Sequence, residues 1–254
     1  MHTSPSDILL DGIGISKAYG DKVILDAVDI RIPAKKVVSL LGQSGSGKTT
    51  LFNILAGLAA PDTGEVRFRG KDITATPGHI AYMLQKDLLL RHLKIIDNVS
   101  LPLRLAGKDK KTARETASAY FSEFGLEGTQ TLYPSSLSGG MAQRAAFLRT
   151  FLFAKDIVLL DEPFSRLDAI TRLKMQDWYL EIRKKYALTT LLITHDIDEA
   201  LRLSDAVYVL SPRTHDIAYR YEVPAGNREE FLASRGYMDA KNRIQEALLS
   251  DEQE

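Results

Sequence analysis

One stretch of the sequence limits the possible folds more than any other: the residues GQSGSGKT at positions 42–49. A nearly continuous apolar run at 37–41 precedes it and predicts a strand buried on both faces. After it, leucine, isoleucine and phenylalanine recur at helical spacing until Pro61. A buried strand, a glycine-rich loop and an amphipathic helix in this order are typical of an α/β fold that binds phosphate.

The loop matches the pattern G-x-x-x-x-G-K-[ST]. Glycines allow several backbone N–H groups to point into one concavity, and the following helix directs its positive end at the same place. Lys48 can reach the β- and γ-phosphate oxygens of ATP, and the Thr49 hydroxyl can bind Mg²⁺. The predicted ATP phosphate-binding residues are Gly42, Ser44, Gly45, Ser46, Gly47, Lys48, Thr49 and Thr50.

Two carboxylates, Asp161 and Glu162, follow an apolar run at 157–160 that predicts a buried strand. In open α/β sheets, ligands bind at the carboxyl ends of the strands. Asp161 is therefore predicted to hold Mg²⁺, and Glu162 to polarise the attacking water as a general base. The alternative is a solvated Asp-Glu turn, but the phosphate loop in the same chain favours a catalytic pair.

Composition excludes several other kinds of protein. Lys+Arg and Asp+Glu both number 33, a balance that argues against a nucleic-acid partner. The chain has no cysteine, which excludes disulfides and thiolate metal sites. No apolar stretch approaches the ~18 to 20 residues of a membrane-spanning helix, and residues 1–10 do not resemble a secretory signal. If the protein works at a membrane, we expect other chains to supply the span.

A second glycine-rich sequence, LSGGMAQR at 137–144, lies upstream of the acidic strand end. It resembles the signature sequence of the ATP-binding cassette (ABC) ATPases. Its glycines open a predicted helix whose positive end can bind an anion, although a plain serine cap is the alternative. The resemblance implies that this end binds the γ-phosphate of ATP held by a second copy in a head-to-tail dimer. The residues implied to act in this way are Ser138, Gly139, Gly140 and Gln143.

Four further features fall in the order that the resemblance implies. Tyr19 stands where the family has an aromatic ring stacked on adenine, and Gln85 where a glutamine contacts Mg²⁺ and water and senses the membrane partner. His195 stands where a catalytic histidine contacts the γ-phosphate, and Asp168 ends a loop implied to couple two ATP sites. A packing tyrosine, a surface glutamine and a structural histidine are the alternatives.

The resemblance implies a P-loop NTPase fold: a RecA-like parallel sheet, an N-terminal antiparallel β subdomain and an inserted α-helical subdomain. We expect one ATPase domain at 1–212, with the β subdomain and core at 8–86 and 155–212 and the helical subdomain at 87–154. Residues 213–254 are expected to form an appendage with a short helix capped by Asp239 and a disordered end. Trp178 is expected to be a core or helix-packing residue and not to stack on adenine.

The segments 85–90, 97–99, 167–172 and 175–178 resemble the nitrate, sulfonate and taurine branch of importers, to which importers of thiamine-pyrimidine precursors also belong. The implied partners are a second copy of the chain, an integral membrane permease that contacts residues 85–99, and an extracytoplasmic solute-binding protein. The implied location is the cytoplasmic face of the cell membrane. Arg91 and His92 replace the Pro-Trp pair that is frequent in this branch, which leaves room for a different permease or cargo.

Two other functions stay open at this point. An exporter ATPase would carry nearly the same motifs. A soluble P-loop kinase or switch would explain the phosphate loop and the acidic strand end, but not the LSGGMAQR sequence or His195. Ala142 and Arg166 depart from the common family pattern beside the motif residues, so we expect them to tune rates only.

Overall fold

The computed structural model describes residues 7–154 and 156–249 and divides the chain into two compact units. The first unit is formed by Met1–Ile80 and Leu188–Glu254, and the second by Ala81–Ala187. The elements in chain order are β1 (Ile8–Tyr19), β2 (Lys22–Pro33), β3 (Val37–Leu41), α1 (Lys48–Leu55), β4 (Thr63–Phe68), β5 (Lys71–Asp72), β6 (Ala81–Met83), α2 (Ile95–Leu105), α3 (Lys110–Ser118), α4 (Gly139–Phe153), β7 (Ile157–Asp161), α5 (Ala169–Tyr186), β8 (Thr189–Ile193), α6 (Ile197–Leu203), β9 (Ala206–Leu210), β10 (Ile217–Glu222), α7 (Arg228–Leu232) and α8 (Arg235–Leu249).

An antiparallel sheet with strand order β2-β1-β4-β5 forms one layer of the first unit. β1 and β2 make a hairpin in which Tyr19 pairs with Lys22, so the turn lies at Gly20 and Asp21, as their residue types predict. Ile15, Val28, Ile30 and Ile32 are fully buried, because alternate residues of these strands face one side of the sheet. The predicted antiparallel β segment is thus confirmed.

Parallel strands carry the phosphate loop in the first unit. β3 pairs in parallel with β8 on one side and β9 on the other, and all five of its residues are buried. This burial on both faces explains why the run at 37–41 has no polar alternation. β10 joins β9 in the antiparallel sense, which the sequence pattern did not reveal.

The second unit contains the parallel pair β6 and β7 and the helices α2 to α5. Aromatic rings fill the space between α4, α5 and the turn after α3. Trp178 is 9% exposed and meets the ring edges of Phe124 and Phe147 at centroid distances of 5.7 and 5.5 Å. The prediction that Trp178 is a core or helix-packing residue is therefore confirmed, and this cluster packs against α4, the helix that begins within the LSGGMAQR sequence.

The segment after residue 212 differs from its expected form. Residues 217–222 form strand β10, and α8 begins at Arg235, so Asp239 lies inside this helix and the prediction that it caps the helix is wrong. This strand has only six residues, and a periodic pattern over so short a segment is a weak signal in the sequence. The last four residues, for which disorder was expected, lie outside the described part of the chain.

None of the helices in the described ranges is both long enough and apolar enough to cross a membrane.

Candidate functional site

The phosphate loop connects β3 to α1 and needs its glycines for steric reasons. Gly47 has φ +100°, and a Cβ added there would lie 2.9 Å from the carbonyl oxygen of Ile24. A Cβ at Gly42 would lie 2.7 Å from the carbonyl oxygen of Leu210. Any larger residue would therefore clash at both ends of the loop. Glycine at these positions allows the tight backbone curve that a phosphate-binding loop needs.

The start of α1 is suited to bind an anion. Its N-cap is Gly47, no side chain caps it, and its first turn contains no acidic residue. The first N–H groups of a helix have no intrahelical partner, so they can donate to phosphate oxygens here. The buried Ser46 hydroxyl at the same loop has no hydrogen-bond partner among the described residues. The residues present therefore fit a phosphate group.

Lys48 braces the loop. Its Nζ donates to the carbonyl oxygens of Gly42 and Gln43, each at 2.7 Å. The ammonium group is thus held against the backbone at the start of the phosphate loop. Binding of a triphosphate would replace these neutral acceptors with anionic oxygens, which form stronger hydrogen bonds with an ammonium group.

Two more residues of the predicted site belong to the first unit. Tyr19 ends β1 and is 58% exposed, with Lys17 Nζ 5.5 Å from its ring centroid, so its ring is accessible for stacking. His195 follows β8 and is also exposed. The backbone after His195 is fixed, because the N–H of Asp196 donates to Thr194 Oγ1 at 3.1 Å and Asp196 Oδ1 caps α6 through the N–H of Glu199.

The second unit brings Gln85 and Glu162 together. Gln85 Nε2 donates to Glu162 Oε2 at 2.9 Å, although Gln85 lies two residues beyond the end of β6. Glu162 has φ +45°, a left-handed conformation that non-glycine residues rarely adopt and that is frequent at functional sites. The carboxylate of Glu162 is therefore oriented by both its backbone and an amide donor.

Asp161 ends β7, and the Tyr82 hydroxyl donates to its Oδ2 at 3.4 Å. Burial raises the pKa of the Tyr82 hydroxyl, and the neighbouring carboxylate raises it further. Tyr82 therefore stays protonated and acts as a donor to Asp161. No sequence motif singles out this tyrosine, because a half-buried ring in a short strand is usually a packing residue.

The signature helix α4 contacts the turn that follows Glu162. Gln143 Nε2 donates to the carbonyl oxygen of Pro163, and Ser165 Oγ donates to the carbonyl oxygen of Glu162 at 3.0 Å. The structure thus places the Gln143 side chain against the loop that follows the predicted general base of its own copy.

Ser138 and Asp168 both cap helices. Ser138 Oγ accepts from the N–H of Met141 at 3.3 Å at the start of α4. Asp168 Oδ1 accepts from the N–H of Thr171 at 3.0 Å at the start of α5. The hydrogen bond from the Thr171 side chain, and then the one from its N–H, lower the pKa of the Asp168 carboxyl group. A capping role is compatible with the roles that the resemblance implies, since both side chains remain exposed.

A Mg²⁺ ion is implied by the motifs. In the described residues, no group of three or more acidic or histidine side chains forms a metal cage. Mg²⁺ commonly uses one or two protein ligands together with substrate phosphates and water. One hydroxyl and one carboxylate from the protein are therefore enough to bind it. The predicted ligands Thr49, Gln85 and Asp161 supply oxygen donors, the type that Mg²⁺ prefers, and their role stays a prediction.

One residue that the sequence did not single out is Arg149 of α4. Its Nη1 donates to the carbonyl oxygen of Leu88 at 2.8 Å, and its Nη2 to that of Asp87 at 2.6 Å. Burial lowers the pKa of the guanidinium group, which nevertheless stays charged in this environment. The signal in the sequence that could have pointed to Arg149 is its charge within a mostly apolar part of α4. Arg149 ties the helix of the signature sequence to the segment that begins at Gln85.

We expect Arg149→Met to loosen the segment 86–90, because methionine fills similar space but cannot donate to the two carbonyl oxygens. Hydrogen bonds with a charged partner contribute roughly 1.5–3 kcal/mol. Amide hydrogen exchange should accelerate in this segment, and the thermal midpoint should fall. Arg104→Met, at an exposed position of α2, is the control. Equal exchange in both variants would show that Arg149 does not hold this segment.

Comparison with known proteins places these features in context. A family model described as ABC transporter matches residues 25–165. The formylaminopyrimidine import ATP-binding protein ThiZ of Halalkalibacterium halodurans is 44% identical over 198 residues, which are 78% of this chain and 77% of that protein. The aliphatic sulfonates import ATP-binding protein SsuB 1 of Nocardia farcinica is 40% identical over 210 residues, or 83% and 80% of the two chains.

A solved structure agrees with the fold. The dimeric bacterial ABC transporter cassette MJ0796 is 26% identical to this chain and superposes with a TM-score of 0.73. The match covers 86% of this chain and all of that one. The predicted P-loop NTPase fold with an antiparallel β subdomain is thus confirmed. Another structure of MJ0796 is described as a post-hydrolysis dimer bound to ADP and phosphate.

Proposed function

This chain belongs to the ABC transporter family as an ATP-binding subunit that hydrolyses ATP, and we propose that it energises the import of a small solute through a separate permease. Hydrolysis is supported by the hydrogen bond from the amide of Gln85 to the carboxylate of Glu162, directly after β7. Import is supported by the likeness to two import ATP-binding proteins.

We infer that the phosphate loop binds the triphosphate through the backbone N–H groups and through Lys48. Tyr19 would stack on adenine, since a base and an exposed aromatic ring present flat faces to each other. Mg²⁺, with Thr49, Gln85 and Asp161 as protein ligands, would supply positive charge to the phosphate oxygens. The loop would then hold the γ-phosphate in a fixed position, which is the main requirement of phosphoryl transfer.

Hydrolysis requires a water molecule to attack the γ-phosphorus while the bond to the β,γ-bridging oxygen breaks. Glu162 would orient this water and accept its proton, and ADP and phosphate would leave. Gln85 would keep the Glu162 carboxylate turned toward the water, and His195 would contact the γ-phosphate. These assignments follow from residue type and from position after β6, β7 and β8.

A second copy of the chain would complete the site. The exposed start of α4, with Ser138, Gly139 and Gly140, would bind the γ-phosphate held by the other copy's loop. Gln143 would hold the signature helix against the loop after Glu162, and Asp168 would couple the two ATP sites. The dimeric form of the cassette MJ0796 supports a two-copy assembly.

The membrane permease would contact residues 85–99. Three leucines of the adjoining stretch are unusually exposed, with Leu84, Leu88 and Leu90 at 42%, 51% and 38%. Beneath them, Asn98 is fully buried and bonds the backbone N–H and C=O of Leu90, at 2.6 and 3.1 Å, so the apolar surface has a rigid support. An extracytoplasmic solute-binding protein would deliver the solute, and the chain would work at the cytoplasmic face of the cell membrane.

The proposal is tested in membrane vesicles that contain the chain and its permease, with ATP on the cassette side. We expect ATP hydrolysis to rise when a solute-binding protein and its ligand are present on the opposite side. A useful panel of ligands is an aliphatic sulfonate, taurine, nitrate and a formylaminopyrimidine. Stimulation should be confined to one chemical class, because the binding protein selects the cargo.

Transport direction and product distinguish the alternatives. Solute that moves away from the ATP side would indicate an exporter. Transfer of the γ-phosphate to an acceptor, without release of free phosphate, would indicate a kinase. Either result would contradict the import proposal.

A further inference from the structure

The C-terminal helix α8 touches the phosphate loop directly. Gln43, which stands between Gly42 and Ser44 and is half-buried, donates from Nε2 to the carbonyl oxygen of Leu248 at 3.0 Å. Leu248 is the last residue but one of α8 in the part of the chain that the structure describes. A side chain of the loop is therefore hydrogen-bonded to the backbone of α8.

The same helix packs on the base of the loop. Ala240 and Ile244 of α8 are 1% and 0% exposed, and they belong to one apolar cluster with Leu41. Leu41 is the last residue of β3 and immediately precedes Gly42. The position of α8 is thus fixed by burial against the strand from which the loop emerges, and α8 cannot shift without disturbing this cluster.

A polar contact fixes α8 at its other end. The Tyr237 hydroxyl donates to Asp198 Oδ1, and Lys241 Nζ lies 2.6 Å from the same oxygen. Burial raises the pKa of the Asp198 carboxyl group, but the hydrogen bonds from Lys241 and Tyr237 lower it by more, so the group is charged at neutral pH. Asp198 lies in the first turn of α6, three residues after His195.

We propose that α8 is a positioning element of the ATP site, and that Gln43 is the residue through which it holds the phosphate loop ready for nucleotide. Lys48 binds the carbonyl oxygens of Gly42 and Gln43, while the Gln43 side chain is attached to α8. The loop is thus held by its own lysine and by a separate helix before ATP arrives. Pre-organisation of this kind strengthens binding because less order must be created on contact. The inference rests on the proposed role of the loop in binding ATP.

The test compares Gln43→Ala with the wild-type chain. Loss of one hydrogen bond from a pre-organised loop should weaken binding of a non-hydrolysable ATP analogue by about two- to tenfold. KM for ATP should rise by a similar factor while kcat changes little, because the contact is present before and during the reaction. Amide hydrogen exchange at residues 42–48 should accelerate in the nucleotide-free protein. Gln245→Ala, at an exposed glutamine of α8, is the matched control and should change none of these quantities.

A second variant links the effect to the helix. Ile244→Ala removes buried contacts of α8 and should also weaken nucleotide binding. If α8 acts through Gln43, the two substitutions together should weaken binding by less than the product of their separate effects. Independent, multiplicative effects would overturn the proposal, and so would unchanged affinity and exchange in Gln43→Ala. A wild-type chain that neither binds nor hydrolyses ATP would instead overturn the proposed function.

Discussion

Replacing Glu162 with glutamine should lower steady-state ATP hydrolysis by about 10²- to 10⁴-fold, the usual contribution of a positioned general base. Glutamine has nearly the same shape as glutamate, but its neutral amide accepts a proton poorly. The side chain would still offer an oxygen to Gln85 Nε2, which lies 2.9 Å from Glu162 Oε2. The backbone at position 162 is left-handed, with φ +45°, and this conformation is equally unfavourable for glutamate and for glutamine. The substitution thus removes the base while it keeps the geometry.

Nucleotide affinity separates this effect from general damage. We expect Glu162→Gln to bind ATP with an affinity close to that of the wild type, because Glu162 acts on water rather than on the phosphates. The variant should also accumulate as an ATP-bound dimer, since hydrolysis is the step that would release the two copies. Equilibrium binding of ATP measures the affinity, light scattering measures the dimer, and phosphate release measures hydrolysis. Glu115→Gln, at an exposed position of α3, is the control for the same change of residue. Wild-type turnover in Glu162→Gln would remove Glu162 from its proposed role.

Strands buried on both faces were the part of the fold that the sequence predicted best. The runs at 189–193 and 206–210 are mostly apolar and predict buried strands, and β8 and β9 have these bounds. Edge elements were harder to predict. β10 alternates half-buried and exposed residues along its length, and such a short run, interrupted by Arg220, is a weak signal in the sequence. Apolar residues at helical spacing predict a helix over 109–124, but α3 ends at Ser118, because aromatic packing rather than local preference sets the turn that follows.

The features of the site also fall into two groups: those that the sequence predicts and those that only the folded chain reveals. Gly47 and Gly42 were predictable, since the motif demands curvature that only glycine allows, and the close contacts at both positions agree with this reason. The hydrogen bonds from Arg149 to residues 87 and 88, and from Gln43 to Leu248, join segments that are 61 or more positions apart. No local pattern encodes such contacts. They depend on which surfaces the packed helices present, and only the folded chain reveals them.

Removal of the loop lysine should affect nucleotide binding more than any other single change in the first unit. We expect Lys48→Ala to raise the Kd for ATP roughly 10- to 100-fold, because hydrogen bonds from a charged donor contribute about 1.5–3 kcal/mol. Lys71→Ala, on the exposed strand β5, is the control for loss of one positive charge and should bind ATP normally. Affinity is measured with a non-hydrolysable analogue, so that a change in turnover does not obscure it.

Two roles of Lys48 contribute to this loss, and a second variant separates them. The Nζ atom braces the loop through the carbonyl oxygens of Gly42 and Gln43, and it supplies the charge that attracts the phosphates. Lys48→Met removes both roles but keeps the aliphatic stem, whereas Lys48→Arg keeps the charge in a larger, planar group. If charge dominates, arginine should restore part of the affinity and methionine none. If the brace dominates, both variants should show faster amide exchange at 42–48 and similar affinities. Unchanged affinity in Lys48→Ala would show that the backbone of the loop binds the nucleotide without its lysine.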